Sequence, residues 1–293
     1  MPFEKITLIG VGLLGGSLGL AIKQRKLATR VEGYVRREAS IAECEQFGVV
    51  DKATRDLAQA VTGADLIIFC TPLGQIRCLA EQIVPALKPG ALVTDVGSVK
   101  ATVVRDLETL IAGAKADFIG SHPMAGGEKI GVSAARADLF ENAACVVTPT
   151  PRTRKEPLAV LEKFWEAVGS RVLKMSAETH DDFVSRSSHL PHVVASELAN
   201  YVLSPVHPKE QAMLCANGFR DTTRIASSSA EMWRDISLAN RQNLSRVIGV
   251  FVEDLQEFRL ALEKGDEKAV AEFFEKAKQR RDDWKRLTAD ERR

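Results

Sequence analysis

A histidine stands at position 122, between the strand expected over Phe118 to Ser121 and the loop Met124-Ala125-Gly126-Gly127. A neutral imidazole at a strand end can take a proton from a hydroxyl while hydride leaves the same carbon. Ser98, in Gly97-Ser98-Val99-Lys100, is of a type that can hydrogen-bond that histidine or the hydroxyl. On the residues alone two readings stand, an acid–base group and a histidine satisfied within the packing. A second group is Ser185, Ser188, His189, His192 and Ser196, spaced by threes and fours among Phe183, Val184, Leu190, Val193, Val194 and Leu198. It is either a pocket wall or a solvent face. A third is Gly218-Phe219-Arg220-Asp221-Thr222-Thr223-Arg224, which offers a carboxylate a bidentate guanidinium or forms a charged turn paired within itself. His189-x-x-His192 and His180-Asp181-Asp182 contain ligand types, but the chain has no HExxH, no CxxC and no complete ligand set, so no metal is expected.

Gly10-Val11-Gly12-Leu13-Leu14-Gly15 follows the apolar run Ile6 to Ile9 and opens a helical pattern. In that setting the first glycine makes a tight turn and the second admits a pyrophosphate. The third lets helix and strand approach, and the helix N-terminus presents free N–H groups to phosphate. Gly10, Gly12, Leu13, Leu14 and Gly15 are therefore expected at a dinucleotide, with Thr71 at the end of a neighbouring strand. The next strand ends in Tyr34-Val35-Arg36-Arg37, where NAD sites carry an acidic residue for the ribose 2′-OH. Two guanidinium groups suit a 2′-phosphate instead, so Arg36 and Arg37 favour NADP over NAD. Glu38 follows them and is expected to begin a helix.

Strands are expected at Ile6–Ile9, Val31–Val35, Val49–Val50, Asp65–Cys70, Ala91–Val96 and Phe118–Ser121, with helices between them, including Ala39–Phe47, Gln75–Leu87 and Lys100–Ala112. Such βαβα alternation predicts an α/β fold, a doubly wound Rossmann-type sheet that is mostly parallel with helices on both faces. Ala143–Val147 and Arg171–Leu173 are expected to finish that sheet. After Met175 the strand pattern stops and helical periodicity takes over. A helix is expected near 180–203, kinked by Pro191. A stripe of Leu244, Ile248, Phe251, Leu255, Phe258 and Leu262 follows, then a second helix capped by Asp266. The expected domains are 1–175, dinucleotide-binding, and 176–293, helical, with a frayed and solvated final stretch.

The 293 residues carry a formal net charge of +1, which argues against nucleic acid or a membrane held mainly by charge. The five cysteines are scattered, as in a reducing compartment, and Cys70 is expected to pack as a small hydrophobe. No apolar stretch is long enough to span a bilayer, and no charged leader with a cleavage site opens the chain, so the expected location is the cytoplasm.

Taken together these segments resemble the prephenate/arogenate dehydrogenase family. The matching pieces are Gly10–Gly15 running into Gly16-Ser17, Asp95-Val96-Gly97-Ser98-Val99-Lys100, His122-Pro123-Met124-Ala125-Gly126, Ser188-His189-Leu190-Pro191-His192, and Gly218–Arg224 continuing to Met232-Trp233-Arg234-Asp235-Ile236. They run in order along nearly the whole chain. The resemblance implies oxidative decarboxylation of prephenate to 4-hydroxyphenylpyruvate, toward tyrosine, or of arogenate to tyrosine directly. It implies that His122 receives the ring hydroxyl, that Ser98 supports it, and that His189 and Arg224 line the substrate pocket, Arg224 taking a carboxylate. It also implies a homodimer formed through the helical domain. A β-hydroxyacid-type dehydrogenase is disfavoured because no lysine falls between Lys174 and Lys209. A dinucleotide sensor without turnover is disfavoured by His122 and Ser98 together.

Overall fold

A computed structural model describes residues 3–127 and 129–290. The chain forms two compact units, Met1–Asn240 and Arg241–Arg293. The first opens with β1 (Phe3–Ile9), α1 (Leu13–Gln24), β2 (Ala28–Tyr34), α2 (Ala39–Gln46), β3 (Lys52–Thr54) and α3 (Leu57–Val61). It continues with β4 (Leu66–Phe69), α4 (Leu73–Ile83), β5 (Leu92–Asp95), α5 (Ala101–Ala112) and β6 (Asp117–Phe118). The six strands make one sheet, ordered β3-β2-β1-β4-β5-β6, and every pairing is parallel. This is the Rossmann order, with its reversal between β1 and β4.

β4, Leu66-Ile67-Ile68-Phe69, is apolar and buried at every position because both of its faces are covered. Leu66 and Ile68 pack on one face with Leu8, Leu18, Ile22 and Trp165. Ile67 and Phe69 pack on the other with Ile76, Leu79, Leu107 and Ile111.

Three local expectations are corrected. Val49 and Val50 are buried but not a strand; Asp51 pairs with Val31 through backbone and carboxylate, and the ladder starts at Glu32 with Lys52. The last strands do not finish the main sheet. β7 (Gly120–Pro123), β8 (Ala144–Thr148) and β9 (Arg171–Lys174) form a separate three-stranded sheet, β7-β8 antiparallel and β8-β9 parallel, with α6 (Lys155–Val168) between the last two. β6 is only two residues long, so the chain leaves the edge of the main sheet after Ile119 and pairs with β8.

The third correction concerns the kink. α7 (Ala177–Val184) passes into a π-helical turn, Ser185–His189, and then α8 (Leu190–Val202). The irregularity precedes Pro191, which sits in the first turn of α8, where its missing N–H is tolerated. The wider turn absorbs what a proline would otherwise break. Short helices α9 (Lys209–Met213) and α10 (Asn217–Thr223), a 3-10 turn Arg224–Ser227, and α11 (Ala230–Ala239) complete the unit.

The second unit is a hairpin of α12 (Arg241–Lys264) and α13 (Glu267–Asp290). The chain reverses at Gly265, and the Asp266 carboxylate accepts the Ala269 N–H at 3.0 Å, the cap expected from sequence. Phe258 packs on Phe273 with ring centres 4.3 Å apart. Of the expected stripe, Leu244 is buried while Leu255 and Leu262 are exposed. Residues 291–293, in the stretch expected to fray, lie outside the described residues.

Candidate active site

The glycine turn fills the switch point. Gly10 takes φ +95°, and a Cβ there would meet the Cys70 carbonyl at 2.9 Å. A Cβ at Gly15 would stand 2.0 Å from the Gly10 carbonyl, so the α1–β1 approach requires glycine. Gly12 differs: nothing lies within 4 Å of its would-be Cβ, which leaves a backbone cradle open to a ligand. From this turn a crevice of about 470 Å³ extends past Thr71 to Tyr34, Val35, Arg36, Arg37 and Ser40. Thr71 Oγ1 is buried there without a hydrogen bond, a polar atom waiting for a partner. Arg36 and Arg37 are exposed, and among the described residues neither meets a carboxylate, whereas Glu38 immediately precedes α2 and pairs with Arg55 at 3.2 Å. Cys70 packs against the core, its thiol pushed up by burial. These features fit a dinucleotide.

His122 lies on β7, just past the carboxyl end of β5, and is 7% exposed. Its neighbour Ser121 is held tightly. The Ser121 hydroxyl donates to the Asp95 carbonyl at 2.6 Å, and the Ser121 carbonyl accepts from Lys100 Nζ at 2.8 Å. Lys100 also pairs with the Asp95 carboxylate, both side chains fully buried. The ion pair therefore ties the strand bearing His122 to the end of β5. The loop that follows reaches the glycine turn. Ala125 packs on the same core as Leu13 and Leu14, and a Cβ at Gly127 would lie 3.5 Å from Leu13 Cδ2.

The imidazole of His122 meets a second one: Nδ1 lies 2.8 Å from His180 Nε2. His180 Nδ1 in turn lies 2.8 Å from the Asp181 carboxylate. Asp181 accepts the backbone N–H groups of Lys100 at 2.7 Å and Ala101 at 2.9 Å, so it caps α5 and docks α7 onto it. Burial, then His180, Lys100 and His189, hold His122 well below the ordinary histidine value. The ring is neutral at neutral pH, as a proton acceptor must be.

His189, fully buried, closes the π turn. Its Nδ1 lies 3.2 Å from Asn240 Nδ2, which also donates to the Asp181 carbonyl at 2.8 Å. An amide nitrogen has only hydrogens to offer, so Nδ1 of His189 accepts and its proton sits on Nε2. That Nε2–H is buried and completes no hydrogen bond. Burial lowers His189 to about 4, with His180 and His192 adding to the effect and the Asp181 carboxylate and nearby Ser98 backbone opposing it. Trp233 of α11 stacks on His192, ring centres 3.7 Å apart, and stands edge-on to His189.

The structure thus joins His122 to His189 through His180, Asp181 and Asn240. Ser98 is half-buried on the β5–α5 loop, and its hydroxyl bonds to neither histidine. Arg224 is exposed at the head of the 3-10 turn packed on α8. The polar stripe divides: Ser185 and His189 are buried, Ser188 and His192 half-buried, Ser196 exposed. Sequence reading missed His180 and Asp181 as part of the site, weighing them only as metal ligands, and missed Asn240 altogether. Among the described residues no group of three or more His, Cys, Asp or Glu is placed to hold a metal ion.

A neutral imidazole held at the carboxyl edge of a nucleotide-binding sheet, with helices closing over it, is the arrangement of a nucleotide-linked dehydrogenase. Residues 18–174 match the family model of the prephenate dehydrogenase nucleotide-binding domain, and residues 176–276 that of the prephenate dehydrogenase dimerization domain. The chain belongs to the prephenate dehydrogenase family. It is 34% identical to the cyclohexadienyl dehydrogenase of Zymomonas mobilis, over 95% of each chain. It is also 34% identical to the prephenate dehydrogenase of Bacillus subtilis, over 95% of this chain and 76% of that one. The crystal structure of Aquifex aeolicus prephenate dehydrogenase with hydroxyphenyl propionate and NAD+ superposes with a TM-score of 0.91 at 31% identity, covering 97% of this chain and 99% of that one.

Proposed function

We propose that this chain oxidatively decarboxylates prephenate to 4-hydroxyphenylpyruvate, with NADP+ preferred to NAD+. The observation that carries the reading is the neutral imidazole of His122, fixed at the sheet edge with Nδ1 engaged by His180. Its Nε2 is the atom to take the ring hydroxyl's proton. A bound nicotinamide supplies the hydride acceptor. The emerging ketone draws the electrons of the carboxylate bond, carbon dioxide leaves, and the ring becomes aromatic. The chain's own part is to orient the hydroxyl, accept its proton and hold the carboxylates.

Ser98, half-buried beside His189 on the β5–α5 loop, supports the hydroxyl. The unsatisfied Nε2–H of His189 is a donor suited to a substrate oxygen, and Arg224 takes a carboxylate. Gly10, Gly12, Leu13, Leu14, Gly15 and Thr71 hold the dinucleotide, and Arg36 and Arg37 receive the 2′-phosphate. The segment 176–293 acts as the substrate-binding and dimerisation domain of a homodimer. Val206, Met213 and Leu214, each 83% exposed, support that assignment, as does the match to a dimerization domain. The five free cysteines fit a cytoplasmic enzyme. Among the described residues no helix is long and apolar enough to cross a membrane.

The test is a two-by-two assay, prephenate or arogenate with NAD+ or NADP+, followed as reduced nicotinamide. Prephenate with NADP+ is expected to give the highest kcat/KM. Faster turnover of arogenate would move the substrate assignment to the amino analogue, which shares ring, hydroxyl and ring carboxylate. A preference for NAD+ would remove the role given to Arg36 and Arg37.

A further inference from the structure

We infer that the proton acceptor is a relay of three side chains, His122–His180–Asp181, in which His180 and Asp181 are positioning residues that fix the tautomer of His122 and stabilise its protonated form. The inference rests on the reading of His122 as the base and adds two residues to it.

The argument is one of donors and acceptors. Both oxygens of Asp181 accept backbone N–H groups at the start of α5. An ionised carboxylate can only accept, so His180 Nδ1, 2.8 Å from Asp181 Oδ1, carries a proton and donates it. A neutral His180 then has a bare lone pair on Nε2. His122 Nδ1, 2.8 Å from that atom, must therefore carry its own proton and donate. This leaves Nε2 as the only basic nitrogen of His122, and among the described residues the one side-chain hydrogen bond of that ring is the one at Nδ1.

The order runs one way, from two fixed backbone amides through a carboxylate and two rings to one free lone pair. When Nε2 accepts the hydroxyl proton, the imidazolium keeps its Nδ1–H on His180, and the Asp181 charge is transmitted to it through the middle ring. The same logic operates where an aspartate orients a catalytic histidine, and there the wrong tautomer costs about 10⁴ in turnover. Lys100, paired with Asp95, helps to keep His122 neutral before the proton arrives. His180 is 1% exposed and Asp181 2%, so water does not substitute for either partner.

Two variants and one spectrum test this. His180→Phe removes the acceptor for His122 Nδ1–H. His180→Gln offers a carbonyl oxygen to His122 and an N–H to Asp181. His180→Phe is expected to lose about 10²–10³-fold in kcat, with KM for the cyclohexadienyl substrate and affinity for NADP+ changed less than threefold. His180→Gln is expected to recover turnover to within about tenfold of wild type.

In wild type, long-range ¹H–¹⁵N spectra of histidine-labelled enzyme at pH 7.5 should show His122 and His180 both as the Nδ1–H tautomer, the form less favoured in free histidine. Assignment would come from the signals lost in His122→Asn and His180→Gln. An Nε2–H tautomer at His122, normal kcat in His180→Phe, or equal losses in Phe and Gln variants would each overturn the relay. If His180→Phe does not fold, judged by its melting curve, the wild-type spectrum and the Gln variant still decide. A wild-type enzyme that turns over neither cyclohexadienyl substrate but shows both Nδ1–H tautomers would sink the proposed function and leave the relay standing.

Discussion

A base that must be deprotonated at working pH needs surroundings that disfavour its charge, and burial of His122 near Lys100, His180 and His189 does this. The sign follows: with its folded value well below 6.5, His122 is already neutral at pH 6.5. The acid limb of kcat/KM should therefore fall at a distinctly lower pH, with a plateau above it, when chemistry limits the rate. A limb centred at the ordinary histidine value would contradict the assignment. His122→Asn should bind NADP+ normally and lose about 10²–10⁴-fold in kcat. Arg36 and Arg37 give a second prediction, because both are exposed at the crevice and Glu38 is occupied by Arg55. Arg37→Ala should raise KM for NADP+ roughly tenfold or more, as loss of a charge-assisted hydrogen bond of about 1.5–3 kcal/mol would, and leave KM for NAD+ nearly unchanged. Equal effects on both cofactors would mean the arginine does not read the 2′-phosphate. These residues were legible singly. The links between them were not, because His180 and Asp181 lie 58 and 59 positions beyond His122, and only the docking of α7 on α5 brings them together.

At the scale of elements, the glycine turn separates fold from binding. Gly12 has open space where a side chain would project, and Gly15 has a carbonyl 2.0 Å away. Gly12→Val should keep the melting temperature within a few degrees and abolish dinucleotide binding, measured by fluorescence titration. Gly15→Ala should lower the melting temperature markedly, since helix and strand would have to part. If the two variants lost stability alike, the division of labour within the turn would be wrong. β1, β4 and β5 of the main sheet could be read from their apolar runs, since burial on both faces leaves that pattern, whereas β3, Lys52-Ala53-Thr54, carries no such run. The second sheet could not. Its strands look like further members of the first, and only the shortness of β6 sends the chain elsewhere. The π turn was equally hidden, because Pro191 announces a disturbance but not on which side of itself the helix yields.

Over the whole molecule, the order of motifs along the chain disclosed the plan, a nucleotide sheet followed by helices, while the balance of charge inside it appears only on folding. Three imidazoles, His122, His189 and His192, are each pushed down chiefly by burial. A histidine with a lowered folded value binds fewer protons folded than unfolded, so stability rises with pH across the gap and is lost as pH falls through it. For His189 that gap runs from 6.5 to about 4, a loss on the order of 3 kcal/mol when complete. Asp51 and Asp65 act lower. Burial opposes them, but hydrogen bonds from Lys23 and Lys88 hold both below 3.8, so their contribution persists until the pH has passed beneath that value. The melting temperature should thus be level from pH 8 to about 6.5 and decline steadily toward pH 4, before the carboxylates matter. His189→Asn, which cannot titrate, should start from a lower melting temperature and show a shallower decline over that interval. A variant whose slope matched wild type would place the acid sensitivity outside the buried imidazole at 189.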